Sequence, residues 1–459
     1  MRTGTARPTT MSWSPVRSPP PTRSPSISPR AAGSPCASRR SDAGVAMKPA
    51  LAALLLLAAC APQGSPPAEA PGRTQEQSMT QITVIATVPE GAGEIYLTGN
   101  LDELGPWRAD GLLMSGEGRE RRASVLVPEG TLFEFKITGG SWDREGTGPS
   151  GTVLPNFTHR AEGEAGEARV EIVDFKHPPE AYIADPQGSG VLGTLIYWTD
   201  LDSAFLETTR HVSIWLPPGY EAEPEKRYPV LYMHDGQNLF DPRIANTGTD
   251  WGIDEAMMAN VEAGLHGPAI VVGIWSTNRR GYELSPWHGG PDYARMIVEE
   301  IRPRVDAAFR TLDGPANTFT MGSSMGGLIS QYLVREYPDV FGACGCVSTH
   351  VPLSPAMARD FLGLEGGPVL ESPDKPYLIA EIEAGAQIPA NVRMFFDHGT
   401  QTLDANYGPG HAAIRDWLLA QGLSEGEDFI VRTYEGAAHN EASWRARAGD
   451  QLAFLLAGH

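Results

Sequence analysis

Between residues 79 and 175 the apolar positions recur at every second residue in short runs, at 82–88, 94–97, 123–127 and 132–137. A spacing of two places alternate side chains on one face of a strand. Those runs, punctuated by Gly and Pro turns, predict a small all-β sandwich of about a hundred residues. From residue 190 the pattern changes. Nearly continuous apolar runs at 194–198, 211–216, 230–233 and 270–274 alternate with helical-period stretches such as 293–309. Strands apolar on both faces, interleaved with helices, predict a mainly parallel sheet covered on both sides. Residues 176–189 read as a Pro-containing linker between the two regions, and 61–78 as a Pro/Gln/Glu-rich tether before the first. No internal repeat is evident.

The first 60 residues follow neither pattern. Residues 1–46 hold seven arginines and one acid with almost no apolar run, a composition that predicts disorder. Met47-Lys48 then opens a short apolar core that ends in Leu57-Ala58-Ala59-Cys60. One positive charge, an apolar stretch too short to span a bilayer, and small residues before a cysteine predict a secretory signal at 47–60. The segment resembles a bacterial lipobox. That resemblance implies translation from Met47, with 1–46 a misassigned upstream extension, acylation of Cys60, and export to the cell envelope. Ala61 in place of aspartate implies the outer membrane.

The chemistry concentrates at Gly322-Ser323-Ser324-Met325-Gly326-Gly327. This G-x-S-x-G element follows a β-prone run, 317–321, and precedes an apolar helical stretch, 328–333. A strand-to-helix turn of that kind is a nucleophile elbow. It predicts Ser324 as nucleophile and the Met325 N–H, at a helix N-terminus, as an oxyanion donor. The order Ser, acid, His then selects later residues. His439 lies in a small-residue loop after the apolar run 429–431, with a helix expected over 444–456, and is the candidate base. The loop after a strand at 392–396 carries two candidate acids, Asp404 and Asp397. Asp404 is the choice because a loop aspartate can bend toward His439; Asp397, nearer the strand, is the alternative. After the run 228–233, Gly236 frees the Gln237 N–H as the second oxyanion donor. Residues 279–282 and Trp287 lie beyond another strand end, where open α/β sheets place ligands.

The set His234-Asp235-Gly236-Gln237, Trp251 with Asp254-Glu255, Gly322 to Gly327, and His439-Asn440-Glu441 with Trp444 resembles the esterase family that includes enterochelin esterases, esterase D, and feruloyl and acetyl-xylan esterases. The resemblance covers about 193–457. It implies an α/β-hydrolase fold over 190–459, with Ser324 as nucleophile, His439 as base, and Gln237 and Met325 as oxyanion donors. Related esterases often place the acid where this chain has Thr402, two residues before Asp404.

Residues 79–175 resemble a family-20 starch-binding domain through Gly99-Asn100, Leu104 to Trp107, Phe133 to Lys136, Trp142-Asp143 and Pro155-Asn156. That resemblance implies carbohydrate binding, with Trp107 and Trp142 stacking on sugar rings while Lys136 and Asn156 bond hydroxyls. A longer loop over 144–154 departs from the pattern and bears on the shape of such a site. A spacer with core tryptophans is the alternative.

Composition narrows the partners. The chain of 459 residues is 41% hydrophobic and 20% charged, with a net charge of −20, which is globular and disfavours nucleic acid. Of four cysteines, Cys36 and Cys60 precede the folded regions. Cys344 and Cys346 alternate along an expected central strand, where residues two apart do not easily bridge; they read as core, without metal. The expectation is a lipid-anchored serine ester hydrolase, without metal or cofactor, acting on an acylated carbohydrate or related small ester, with α-glucan as a candidate ligand of the sandwich. A siderophore trilactone esterase and a surface glycan-binding lipoprotein are the alternatives.

Overall fold

The computed structural model describes residues 78–459, apart from Gly105, Pro106, Ser150 and Pro178. The expectations for 1–46, for the signal 47–60 with Cys60, and for all but the last residue of the 61–78 tether lie outside the described residues. The described residues lie within one compact unit.

Two small sheets and a two-stranded ribbon, Gly146–Thr147 with Asp174–Phe175, build the region 79–175. Met79–Thr87 is the centre of one, flanked by Glu120–Pro128 antiparallel and Ala165–Glu171 parallel. Leu112–Leu113, Tyr96–Gly99, Leu132–Thr138 and Phe157–Arg160 make the other, in that order. Strict alternation of exposed and buried positions along Glu120–Pro128 is what the period-two pattern dictates. Ile82, Val84 and Val127 of one sheet and Leu97, Phe133 and Phe135 of the other close a single core.

The second region is an eight-stranded sheet. Its strands are β1 Thr194–Leu201, β2 Arg210–Leu216, β3 Val230–His234, β4 Ile270–Ile274, β5 Thr318–Ser323, β6 Ala343–Val347, β7 Arg393–Gly399 and β8 Phe429–Tyr434. Their order is β1-β2-β4-β3-β5-β6-β7-β8. β1, β2 and β4 pair antiparallel and the rest parallel. This is the α/β-hydrolase fold. β3 through β6 are buried at every position, because apolar layers cover both faces. Cys344 and Cys346 are buried free thiols on β6. Chain order reverses between β3 and β5, which lie side by side, so a crevice opens beyond their carboxyl ends.

Two expected helices differ in detail. The stretch 293–309 appears as Gly290–Arg295, a wider π-wound segment Met296–Ile301, and Arg302–Ala308. The helix expected over 444–456 is broken into Glu441–Arg445 and Ala448–Leu455. The break falls at Arg447, whose guanidinium turns inward to Asp397 and the Ser348 hydroxyl. A buried ion pair there overrides helical periodicity.

Candidate active site

Ser324 follows β5 directly and precedes the helix Met325–Glu336, with φ 57° and ψ −116°. Such a backbone costs on the order of 1–3 kcal/mol and persists only where its surroundings fix it. Here the Ser324 N–H donates to Val347 O at 2.9 Å, while its carbonyl accepts from His350 N at 3.2 Å and Gly327 N at 3.1 Å. Gly322 is obligatory at the turn, since a Cβ there would lie 2.9 Å from His234 Cδ2 and 3.0 Å from Gly326 Cα. His234 itself bonds Tyr293 and Thr320 behind the elbow, and burial lowers its pKa to about 3. It is a neutral strut.

His439 lies in the loop after β8. Its backbone N–H donates to the Thr402 hydroxyl at 2.8 Å, and its Nδ1 lies 2.6 Å from Asp404 Oδ1. Tyr407 and Trp444 rings pack against it edge-on. The Asp404 carboxylate is fully buried and also accepts from the Ser348 hydroxyl at 2.5 Å and Gly399 N at 2.6 Å. Burial pushes its pKa up, but the bonds from His439, Ser348 and Gly399 together outweigh burial and hold it below the ordinary carboxylate range. Nδ1–H of His439 therefore faces a charge, which leaves Nε2 as the nitrogen available for a proton.

Asp397 is equally buried, yet it meets Ser348 N, Arg447 and Gln451 instead. It braces the loop and does not reach His439.

Ser324 and His439 line one pocket of about 240 Å³, together with Asn246, Arg280, Glu441 and Trp444. Gln237 follows β3 and Met325 follows β5, so both stand at the carboxyl edges of paired strands. The Gln237 side chain is anchored to Ser276 in both directions, at 2.6 and 3.0 Å. Asp235, in a left-handed conformation, takes a two-pronged ion pair from Arg280 at 2.6 and 2.7 Å.

Of the residues 279–282 and Trp287, Arg280 reaches the pocket. Arg279 pairs with Glu207, and Trp287 stacks on Tyr377 while donating to Glu381.

Sequence reasoning missed Tyr407 and His350. The Tyr407 hydroxyl bonds His350 Nδ1. Burial first, then the nearby His439 and Arg280, lower the His350 pKa to about 4. His350 Nε2 faces Met357 Sδ at 3.1 Å, which assigns the ring proton to Nε2 and leaves Nδ1 to accept from Tyr407. Only topology brings these two residues together, so no local motif marks them. Ser348, whose hydroxyl also receives bonds from Trp444 at 3.0 Å and Arg447 at 2.6 Å, was missed for the same reason.

In the sandwich, Trp107, Trp142, Lys136 and Asn156 do line one cavity. Trp142 is 41% exposed. Lys136 departs from its expected part: it is paired with Glu145 and donates to Leu154 O at 2.8 Å. Glu145 comes from the longer loop, so that insertion supplies the charge that occupies the lysine.

The Esterase family, described as "Putative esterase", matches residues 203–449, more than half of the chain. YbbA of Bacillus subtilis (strain 168), an uncharacterized protein, is 25% identical over 180 residues, which are 34% of this chain and 67% of that protein. An endo-1,4-beta-xylanase/feruloyl esterase of Xylanibacter ruminicola is 27% identical over 226 residues, 48% of this chain and 29% of that protein. The chain thus spans about two thirds of the first relative and less than a third of the second. Among solved structures, an enterochelin esterase from Shigella flexneri is similar with 14% identity and a TM-score of 0.47, covering 83% of this chain and 93% of that one. A ferulic acid esterase gives 20% identity and a TM-score of 0.45, covering 58% and 98%.

Proposed function

Since the chain belongs to the Esterase family and is a carboxylic ester hydrolase, we propose that it works through Ser324, His439 and Asp404 on an acylated carbohydrate. The observation that carries this reading is the 2.6 Å contact between Asp404 and His439 at the wall of the pocket that holds Ser324 on its strained turn.

Ser324 Oγ attacks the ester carbonyl carbon as His439 Nε2 takes its proton. The Gln237 and Met325 N–H groups receive the charge that develops on the carbonyl oxygen. Asp404 holds the imidazole in the required tautomer and stabilises the imidazolium. Collapse of the tetrahedral intermediate breaks the bond to the alcohol oxygen, which leaves with the proton from His439. A water then attacks the acyl-enzyme, giving up a proton to His439. That proton returns to Ser324 Oγ as the free acid departs.

A neutral substrate is favoured over an anionic catecholate because the charge of Arg280 in the pocket is already taken up by Asp235. Hydrolysis of short p-nitrophenyl esters by the wild type, abolished in Ser324→Ala and nearly so in His439→Ala, is the expected outcome. Wild-type turnover in Ser324→Ala would overturn the assignment.

A further inference from the structure

A cavity of about 450 Å³ opens where the sandwich meets the catalytic region. Trp107, Trp142 and Asn156 form its sandwich side, and Asn246 with Thr247 form the other. Asn246 also lines the catalytic pocket beside Ser324 and His439. The two spaces therefore share a wall.

The shared wall is firmly held. Buried Lys176, the residue that follows the sandwich, donates to Ile244 O at 3.0 Å. Asn246 N donates to Asn238 Oδ1 at 2.9 Å. Gly248, at φ 71°, lies so close to the backbone of Val153 that a Cβ would come within 2.6 Å of its carbonyl oxygen. Sandwich and catalytic loop are thus packed backbone to backbone, and the cleft between them is preformed.

Its chemistry selects one class of ligand. Trp107 is held at φ 52°, a conformation that costs a bulky residue free energy and draws attention to its placement. Trp142 leaves a large apolar surface in water. The charged groups around them cancel in sign: Lys136 and Lys176 against Asp143 and Glu145. Glu145 already holds Lys136. Indole faces suit the apolar faces of a pyranose ring, and the amides of Asn156 and Asn246 suit its hydroxyls. No net charge is offered to a phosphate or a catecholate.

We propose that this cleft binds a neutral glycosyl unit of the same molecule whose ester is cleaved at Ser324. The sandwich is then part of the substrate site, on the alcohol side of the ester, and not a separate anchor to a polymer. The proposal rests on the ester-hydrolase reading above.

The test uses the full chain and two soluble esters of each of two acids, acetic and ferulic: the ethyl ester and the mono-ester of a neutral disaccharide (maltose or xylobiose). The ratio of kcat/KM, disaccharide ester over ethyl ester, is expected to exceed one by about tenfold in the wild type and to fall toward one in Trp142→Ala. A distant anchoring platform would not move this ratio for so small a ligand. A ratio near one in the wild type, or one unchanged in Trp142→Ala, overturns the proposal. Absence of turnover with every ester would instead sink the hydrolase reading. If Trp142→Ala fails to fold, Asn156→Ala replaces it, with quenching of tryptophan fluorescence by the disaccharide in full-length Ser324→Ala as a second readout. Quenching is expected there, and its absence counts against the cleft.

Discussion

Two groups of acidic residues bear on the region of the catalytic pocket, and a buried aspartate in each, Asp404 and Asp254, is treated in opposite ways. Asp397, on β7, and Asp404, in the loop after it, are fully buried and richly supplied with donors: two backbone N–H groups, the Ser348 hydroxyl, Arg447, Gln451 and His439. Asp250, before the helix Ile253–Glu262, and Asp254 and the exposed Glu255, in its first turn, bring their carboxyls within 4.8 Å of one another. Arg445 serves Asp250 and Glu255, while Asp254, 1% exposed, takes one backbone bond from Leu192. Burial, then hydrogen bonding to Glu255, raises the Asp254 pKa to about 7, whereas Asp404 is held low. Burial is common to both, so the number of donors decides the sign. Asp404 is held charged beside His439, whereas Asp254 resists becoming charged.

The largest effect separates the two aspartates of the donor-rich group. Asp404→Asn removes the charge that faces His439 and is expected to lower kcat by roughly 10³- to 10⁴-fold with little change in KM. Asp397→Asn leaves the His439 contact alone but strips Arg447 of a buried partner, so it is expected to cost about 3 kcal/mol of stability, with kcat of the folded enzyme within about tenfold of wild type. Steady-state kinetics beside thermal melts of both variants distinguish the roles. An exchange of the two phenotypes would move the orienting role to Asp397.

A smaller effect, with the opposite pH sign, belongs to Asp254. Its folded pKa is raised, so the native state binds more protons than the unfolded chain between the ordinary carboxylate range and about pH 7. Stability contributed by the protonated carboxyl is therefore lost as pH rises through that window. Asp254→Asn is expected to raise Tm at pH 8 and to leave it nearly unchanged at pH 4. An equal shift at both pH values would show that Asp254 does not titrate between them.

The same contrast explains what could be read from the chain. β3, β5, β7 and β8 were legible because buried strands must be apolar, and Ser324 because a tight turn demands glycine at fixed offsets. His439 and Asp404 followed from chain order in the fold. Tyr407, His350, Ser348 and Arg447 were not legible, because their partners lie tens of residues away and only the sheet aligns them. Arg447 even carried a false signal: its helical surroundings concealed a break made by the pair with Asp397. In the sandwich, the tryptophans were visible as residue types, while their shared wall with Asn246 depends on packing that no local pattern records.

The measurement that tests the account most directly is covalent trapping of the nucleophile. Wild type, His439→Ala and Ser324→Ala are incubated with a p-nitrophenyl phosphonate, and the adduct is mapped by peptide mass spectrometry. One adduct is expected, on Ser324, formed quickly in wild type, slowly in His439→Ala and not at all in Ser324→Ala. An adduct on another residue, or ester turnover that continues in wild type without any adduct at Ser324, would contradict it.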